Sequence, residues 1–171
     1  MDFFEVLKRR HSIRAFTRAT VQPQDLRAIL EAANGAPSAG NLQAYEIYLV
    51  KNQEVRAALA AASLGQGFIA QAPLALVFCA HPDRAAPRYR ERGIRLYSVQ
   101  DATIACALAM LAATALGLAT VWIGAFDDNA VGRAIGAPRN LLPVAILPIG
   151  YAGEKPESTP RRSLQDLVHE V

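Results

Sequence analysis

Arg10-His-Ser-Ile-Arg14 puts two guanidiniums, an imidazole and a hydroxyl within five residues. Such a set suits a phosphate, because arginine offers planar, paired donors and each hydrogen bond to a charged group contributes about 1.5–3 kcal/mol. A solvated basic helix end would carry the same residues, so the pattern gains meaning from its companions. Pro37-Ser-Ala-Gly-Asn-Leu-Gln43 is dense in small and turn-forming residues that let backbone approach a flat ligand, and Ser38, Asn41 and Gln43 offer neutral donors and acceptors for a heterocycle edge. Gly124-Ala125 follows an apolar, β-branched run, where peptide N–H groups stay open to an incoming atom. Arg161-Arg162, near the carboxyl end, is a further candidate clamp for an anion.

What these residues lack is equally informative. There is no Walker A sequence, GxGxxG, GxSxG or HExxH, and His11, His81 and His169 are too scattered to form a metal site. No side-chain nucleophile or acid/base pair stands out, so an enzyme built on this chain would leave its chemistry to a cofactor. Cys79 and Cys106 sit in apolar runs without metal or redox spacing and read as buried small hydrophobes in a reducing cytoplasm. The net charge of +3 is modest, and the basic residues cluster at Lys8–Arg18, Arg84–Arg95 and Arg161–Arg162. A nucleic-acid binder would show a continuous basic face interleaved with aromatics; separated clusters fit convergence on one small anion. The first residues carry acids and no long apolar segment, so no signal peptide is expected.

The elements that must hold these groups are organised around Ala102–Phe126, twenty-five residues without an Asp, Glu, Lys or Arg. Ala102–Leu116 reads as a helix apolar on every side, Gly117 as its cap and Leu118–Ile123 as a buried strand. Length alone would allow a membrane span, but the alanine content, the glycine and the lack of aromatic belts argue against one. Such a helix is expected to pack on a sheet with one face and on a second chain with the other, making a dimer. Helical spacing also predicts 2–10, Pro23–Ala33 and 53–62, with Asp127 or Asp128 capping a short helix over Ala130–Ile135. Tyr45–Val50, Leu74–Ala80 and Val144–Ile149 read as strands, Pro148 marking a bulge or an edge. The segment 82–95, rich in Arg and containing Pro87, is expected to be an exposed connection, and Gly153–Pro160 an extended tail. With 171 residues the chain fits one domain. Few strands intermingled with helices, and a sheet covered on both faces, give a three-layer α/β or α+β fold.

Taken in order, RRHSIRAF (Arg9–Phe16), APSAGNLQ (Ala36–Gln43), QDATIACALAMLAATALGLATVWIGAFD (Gln100–Asp127), LPIGYAGEKP (Leu147–Pro156) and PRRSLQDLVHE (Pro160–Glu170) resemble the FMN-dependent nitroreductase family nearly end to end. The resemblance implies an α+β, three-layer α/β/α fold with a mainly antiparallel sheet, and a cytoplasmic homodimer with FMN at the interface. It implies that Arg10, His11, Ser12 and Arg14 hold the FMN phosphate, ribityl chain and pyrimidine edge, with Arg161 and Arg162 closing on the phosphate. Pro37, Ser38 and Ala39 would come from the partner chain to pack on the isoalloxazine, with Asn41 nearby. Backbone at Gly124 and Ala125 would face flavin N5, and Gln66 and Gln100 or Asp101 fall in segments that reach the ring or ribityl chain in relatives.

The implied reaction is ping-pong transfer of hydride through flavin N5, from NADH or NADPH to nitroaromatics, quinones or free flavin, in one shared pocket. A cation such as Arg14 about 4 Å from the reduced ring would contribute on the order of 4 kcal/mol at an effective dielectric near 20. Two departures stand out: Gly124 occupies a position where many relatives carry an acid, and Pro82–Ser98 is short where relatives with lid helices have insertions. A short segment leaves the pocket open, while its arginines would suit an anionic substrate or the NADPH 2′-phosphate. Competing readings are a dehalogenase or flavin-consuming enzyme of the same fold, a non-catalytic flavin carrier or sensor, and a small DNA-binding dimer.

Overall fold

The computed structural model describes every residue except Ser158. Its centre is a four-stranded antiparallel sheet in the order β1 (Tyr45–Val50), β2 (Leu74–Ala80), β4 (Leu142–Gly150), β3 (Ala119–Thr120). Every residue of β2 is buried, and its side chains alternate between two cores as the two-residue strand period requires. Leu74, Leu76, Phe78 and Ala80 join α2 (Pro23–Asn34) and α6 (Ser98–Ala115), while Ala75, Val77 and Cys79 join α3 (Gln53–Ala62), α4 (Phe68–Gln71) and α7 (Asp128–Ala134). These are the three layers of the α+β fold.

Helix α1 (Phe3–Arg9) is capped by Asp2, whose Oδ1 accepts from the Glu5 N–H at 2.9 Å, and it buries only Val6. Phe3, Phe4 and Leu7 are 60%, 71% and 45% exposed, so the apolar side of α1 is uncovered within one chain. The same holds for α6. One stripe, Ala102, Ala105, Cys106, Ala109 and Ala113, is sealed against the sheet, but Ile104 on the other side is exposed. Burial on every face is therefore not achieved by this chain alone. The helical stretch Pro82–Ala115 is long and apolar enough to cross a membrane by length and composition, yet its α6 part forms the inner layer of a water-excluding core.

Several local expectations need correction. Pro82–Arg92 is a helix, α5, that breaks at Arg90 (φ +49°) and continues as a π turn over Gly93–Tyr97. The internal Pro87 disfavours this by propensity, but Pro82 stands at the tolerated first position, Ala85 is buried, and Tyr89 packs edge to face on Tyr97 with ring centroids 5.0 Å apart. Tertiary contact overrides the local preference. Gly93 makes the return possible, since a Cβ there would lie 2.8 Å from the Ala85 carbonyl oxygen.

Pro148 is not on an edge strand, because β4 pairs with both β2 and β3. Ile146 exchanges both backbone hydrogen bonds with Ile123, so the backbone of residue 148, two positions on, also faces β3. A proline has no N–H to offer there. The ladder is accordingly interrupted, and the strand expected over Leu118–Ile123 shrinks to Ala119–Thr120 plus an isolated bridge at Ile123. Helix α7 begins at Asp128 and ends at Ala134, with Asp127 as its cap through an Ala130 N–H to Oδ1 bond of 2.7 Å. The tail carries a short turn of helix, α8 (Leu164–Leu167), and both α4 and α8 lie in stretches too short for periodicity to reveal.

Both cysteines are free and buried. Burial pushes the Cys79 thiol up to about 12, with the Glu46 charge adding to the effect, and it also raises Cys106. Neither thiol is expected to react with a disulfide reagent in the native protein at pH 8, whereas denaturant should expose two equivalents; rapid native labelling would contradict the buried placement. Because the folded Cys79 binds its proton more tightly than the unfolded thiol, its contribution to stability is complete below pH 9 and declines as pH rises towards 12.

Candidate active site in two halves

The first half is built on the β3 edge. The Ile13 N–H donates to the Thr120 carbonyl oxygen at 3.0 Å, and Ser12 and Thr120 form a parallel bridge, so Arg10–Arg14 runs as an added edge segment beside β3. From its other side the Thr17 N–H reaches the Tyr151 carbonyl at 2.9 Å and the Gly153 N–H reaches the Ala15 carbonyl at 2.7 Å. The Glu154 carboxylate accepts from the Arg14 backbone N–H. This explains why the sequence from Leu147 to Glu154 belongs with Arg10–Arg14: the two segments are laced together across about 140 residues of chain.

Arg10, His11 and Ser12 are half-buried and Arg14 is exposed. Among the described residues, neither guanidinium is held by a carboxylate. Gly124 and Ala125 are exposed four and five residues beyond Thr120, and their N–H groups are not used in the described backbone bonds. The Asp127 N–H donates to the Ala62 carbonyl at 3.0 Å and the Gln66 Nε2 donates to the Ser63 carbonyl at 3.0 Å, which brings the turn bearing Gln66 beside the Gly124–Asp127 segment. This half thus offers two free cations, open backbone donors and a half-buried amide.

The second half is the Pro37–Gln43 loop. Gly40, Asn41 and Gln43 adopt positive φ angles of 57°, 57° and 49°, a conformation natural for the first two residue types. Asp101 holds the loop in shape. Its carboxylate is 2% exposed and accepts the Ala39 N–H at 3.0 Å and the Ala44 N–H at 3.2 Å. Pro37, Ser38 and Ala39 then line a recess of about 430 Å³ with Tyr97, Gln100, Asp101 and Ile104. Burial foremost, and then the Asp101 charge, raises the pKa of Tyr45, whose hydroxyl donates to the Ala33 carbonyl at 3.2 Å.

Helix α5 fastens the loop from outside. Arg84 Nη1 donates to the carbonyls of Gln43 at 2.8 Å and Tyr45 at 3.2 Å while its other amino group pairs with Glu46, and Arg88 Nη1 donates to the Gly40 carbonyl at 3.3 Å. A Cβ on Gly40 would lie 2.5 Å from the Tyr89 hydroxyl and 2.7 Å from Arg88 Nη1. Those are the far ends of side chains that can swing away, so the cost of Gly40→Ala comes mainly from the positive φ. It is expected to destabilise by about 1 kcal/mol in urea unfolding and to detach α5 from the loop, seen as faster amide exchange at residues 38–44. Unchanged exchange would show that this contact does not hold the loop.

The two halves are far apart in one chain. Ser12 lies level with Thr120, Ile149 and Leu74, whereas the His81 N–H bonds to Ala44 at the other end of β2. At about 3.3 Å per residue along the strands and about 4.8 Å per strand across them, Ser12 and Ala44 are roughly 30 Å apart. Pro37, Ser38, Ala39 and Asn41 therefore do not meet Arg10–Arg14 of their own chain, while Gly124, one residue past the Ile123–Ile146 bridge and so level with Phe78, lies nearer, roughly 17 Å from Ala44 by the same spacings. Arg161 and Arg162 are exposed on the tail, where Arg162 Nη2 donates to the Asp166 carbonyl at 2.6 Å, and no described hydrogen bond ties either residue to Arg10–Arg14. Asp101 and Glu154 lie in segments that carry the resemblance and Arg84 opens a basic cluster, but their work on backbone groups was not foreseen: the Asp101 carboxylate, expected near the ring or ribityl chain, is taken up by the Ala39 and Ala44 N–H groups.

A sequence model of the nitroreductase family matches residues 7–79 and 62–151. The FMN reductase [NAD(P)H] of Bacillus subtilis is 31% identical, with the alignment covering 93% of this chain and 69% of the relative. The oxygen-insensitive NADPH nitroreductase of Salmonella typhimurium is 31% identical over 97% of this chain and 72% of its own length. Among solved structures, the NADPH:FMN oxidoreductase from Vibrio harveyi, complexed with NAD+, superposes with a TM-score of 0.90 at 28% identity, covering 98% of this chain and 76% of that one. With the matched segments spanning most of the fold and both half-sites, the chain belongs to the nitroreductase family.

Proposed function

We propose that this protein is a cytoplasmic, homodimeric, FMN-dependent NAD(P)H oxidoreductase, one domain per chain, that reduces small oxidised molecules such as nitroaromatics, quinones or flavins. The observation that carries the reading is the donor set on the β3 edge. Arg10 and Arg14 have no carboxylate partner among the described residues, and the Gly124 and Ala125 N–H groups are open. That set fits FMN, which presents a dianionic phosphate at one end and hydrogen-bonding ring atoms at the other. When bound, FMN supplies the reversible hydride transfer that no side chain here can perform.

In this reading Arg10 and the tail's Arg161 and Arg162 hold the phosphate, Arg14 faces the ring edge, His11 and Ser12 bind the polar chain and ring edge, and Gly124 and Ala125 orient the ring through backbone donors. Gln66 adds an amide beside them. Pro37, Ser38 and Ala39, with Asn41, wall the pocket from a second copy of the chain, because about 30 Å separates Ser12 from Ala44 within one copy. The uncovered apolar faces of α1 and α6 and the exposed Leu164, Leu167 and Val168 of the tail give that second copy a large surface to bury.

The test is the visible spectrum of the purified protein with added FMN, before and after anaerobic NADH or NADPH, together with its mass in solution. A flavin band near 450 nm that bleaches, on a particle of twice the chain mass, is the expected result. Protein that stays colourless with FMN, or binds it as a monomer, would overturn the reading.

A further inference from the structure

Helix α5 carries more positive charge than its own acids neutralise. Arg84 pairs with Glu46 and Arg95 with Glu91, while Asp83 accepts from the Asn140 amide at 2.8 Å. Arg88 and Arg92 have no carboxylate among the described residues. Both are nevertheless held in place rather than waving in solvent. The Arg88 guanidinium carbon lies 5.4 Å from the Tyr89 ring centre and that of Arg92 lies 5.4 Å from the Tyr97 ring centre. The two rings meet edge to face at 84°. Arg92 Nε donates to the Tyr97 hydroxyl at 2.9 Å, and Arg88 Nη1 donates to the Gly40 carbonyl.

The resulting row, Arg88–Tyr89–Tyr97–Arg92, ends in the recess itself, since Tyr97 lines it beside Ser38, Ala39 and Ile104. Each guanidinium spends one N–H within the protein and keeps others free. Cations anchored on ring faces have already lost side-chain freedom, so a second anion pays little ordering cost on binding them. Two such cations across an aromatic pair fit a phosphate monoester on the ribose of a nucleotide whose base is planar, and the row reaches the recess through Tyr97.

We infer that Arg88 and Arg92 bind the 2′-phosphate of NADPH and set the preference for NADPH over NADH. The inference rests on the oxidoreductase reading above. The same two arginines would be useless to NADH, which carries a hydroxyl at that position.

The experiment uses FMN-saturated protein and compares 2′,5′-ADP with 5′-AMP by calorimetry, alongside kcat/KM for NADPH and NADH. Wild type is expected to bind 2′,5′-ADP at least about tenfold more tightly, the worth of one charge-assisted hydrogen bond, and to favour NADPH by a similar factor. Both advantages should disappear in R88Q/R92Q and persist in R95Q, whose side chain belongs to the Glu91 pair. Equal binding of the two nucleotides by wild type, or a preference that survives R88Q/R92Q, would overturn the inference. If neither nicotinamide bleaches the flavin while 2′,5′-ADP still binds through these arginines, the phosphate site stands and the oxidoreductase reading fails instead.

Discussion

Asp101→Ala is expected to destabilise the protein by about 2–4 kcal/mol and to weaken FMN binding, because one buried carboxylate organises the whole Pro37–Ala44 loop. Its two oxygens accept from Ala39 and Ala44, and Ala44 is fully buried. Truncation leaves both N–H groups without an acceptor, and an unmet buried donor costs about 1–3 kcal/mol. Asp101→Asn should fall between, since the amide oxygen can serve one N–H while the NH₂ group faces the other. Urea unfolding of the FMN-free protein measures the first effect and FMN titration the second. Tyr45 gives an independent readout: losing the Asp101 charge should lower its raised pKa while leaving the part due to burial. An alanine variant as stable as wild type, with Tyr45 unmoved, would show that the loop holds itself.

How much of this was legible beforehand depended on whether information was local. Strands β1 and β2 and helices α2 and α3 could be read to within a residue or so, because periodicity and caps are written in consecutive residues. Helix α5 could not. Pro87 opposes a helix locally, and what favours one includes the contact of Tyr89 with Tyr97 and that of Arg84 with the β1 edge, the latter across a gap that no window spans. Pro148 shows the opposite case. The residue correctly announced a break in pairing, but it sits on the inner strand β4, and the break lies between β4 and the short end strand β3, which the missing donor faces.

The candidate site divides in the same way. Arg10–Arg14, Pro37–Ala39 and Gly124–Ala125 were visible as residue types suited to an anion and a flat ring. That Arg10–Arg14 and Pro37–Ala39 lie at opposite corners of the sheet follows only from strand order and register. The uncharged run from Ala102 led to the expectation of a second chain on its outer side, and within one chain that side is left open at Ile104. The carboxylate that shapes the loop was visible as a candidate within the Gln100–Asp127 segment, but its role was not, as its work is done through backbone N–H groups of residues 57 and 62 positions away.

Arg10→Ala and Arg14→Ala separate binding from folding most sharply. Neither side chain is paired with an acid among the described residues, so removing them should change stability by no more than about 0.5 kcal/mol. A charge-assisted bond from each to FMN, Arg10 to the phosphate and Arg14 to the ring edge, contributes about 1.5–3 kcal/mol, so each single variant should bind FMN about ten- to a hundredfold more weakly. The double variant should lose roughly a thousandfold if the two act independently. Added salt provides the discriminating control, since screening weakens FMN binding in wild type and should matter less once both cations are gone. Riboflavin, which lacks the phosphate, should bind wild type and Arg10→Ala alike and bind Arg14→Ala more weakly. If FMN affinity is unchanged in the double variant, Arg10 and Arg14 do not hold FMN, and Arg161→Ala with Arg162→Ala then tests the tail; if riboflavin weakens in parallel with FMN in Arg10→Ala, that arginine holds the ring and not the phosphate.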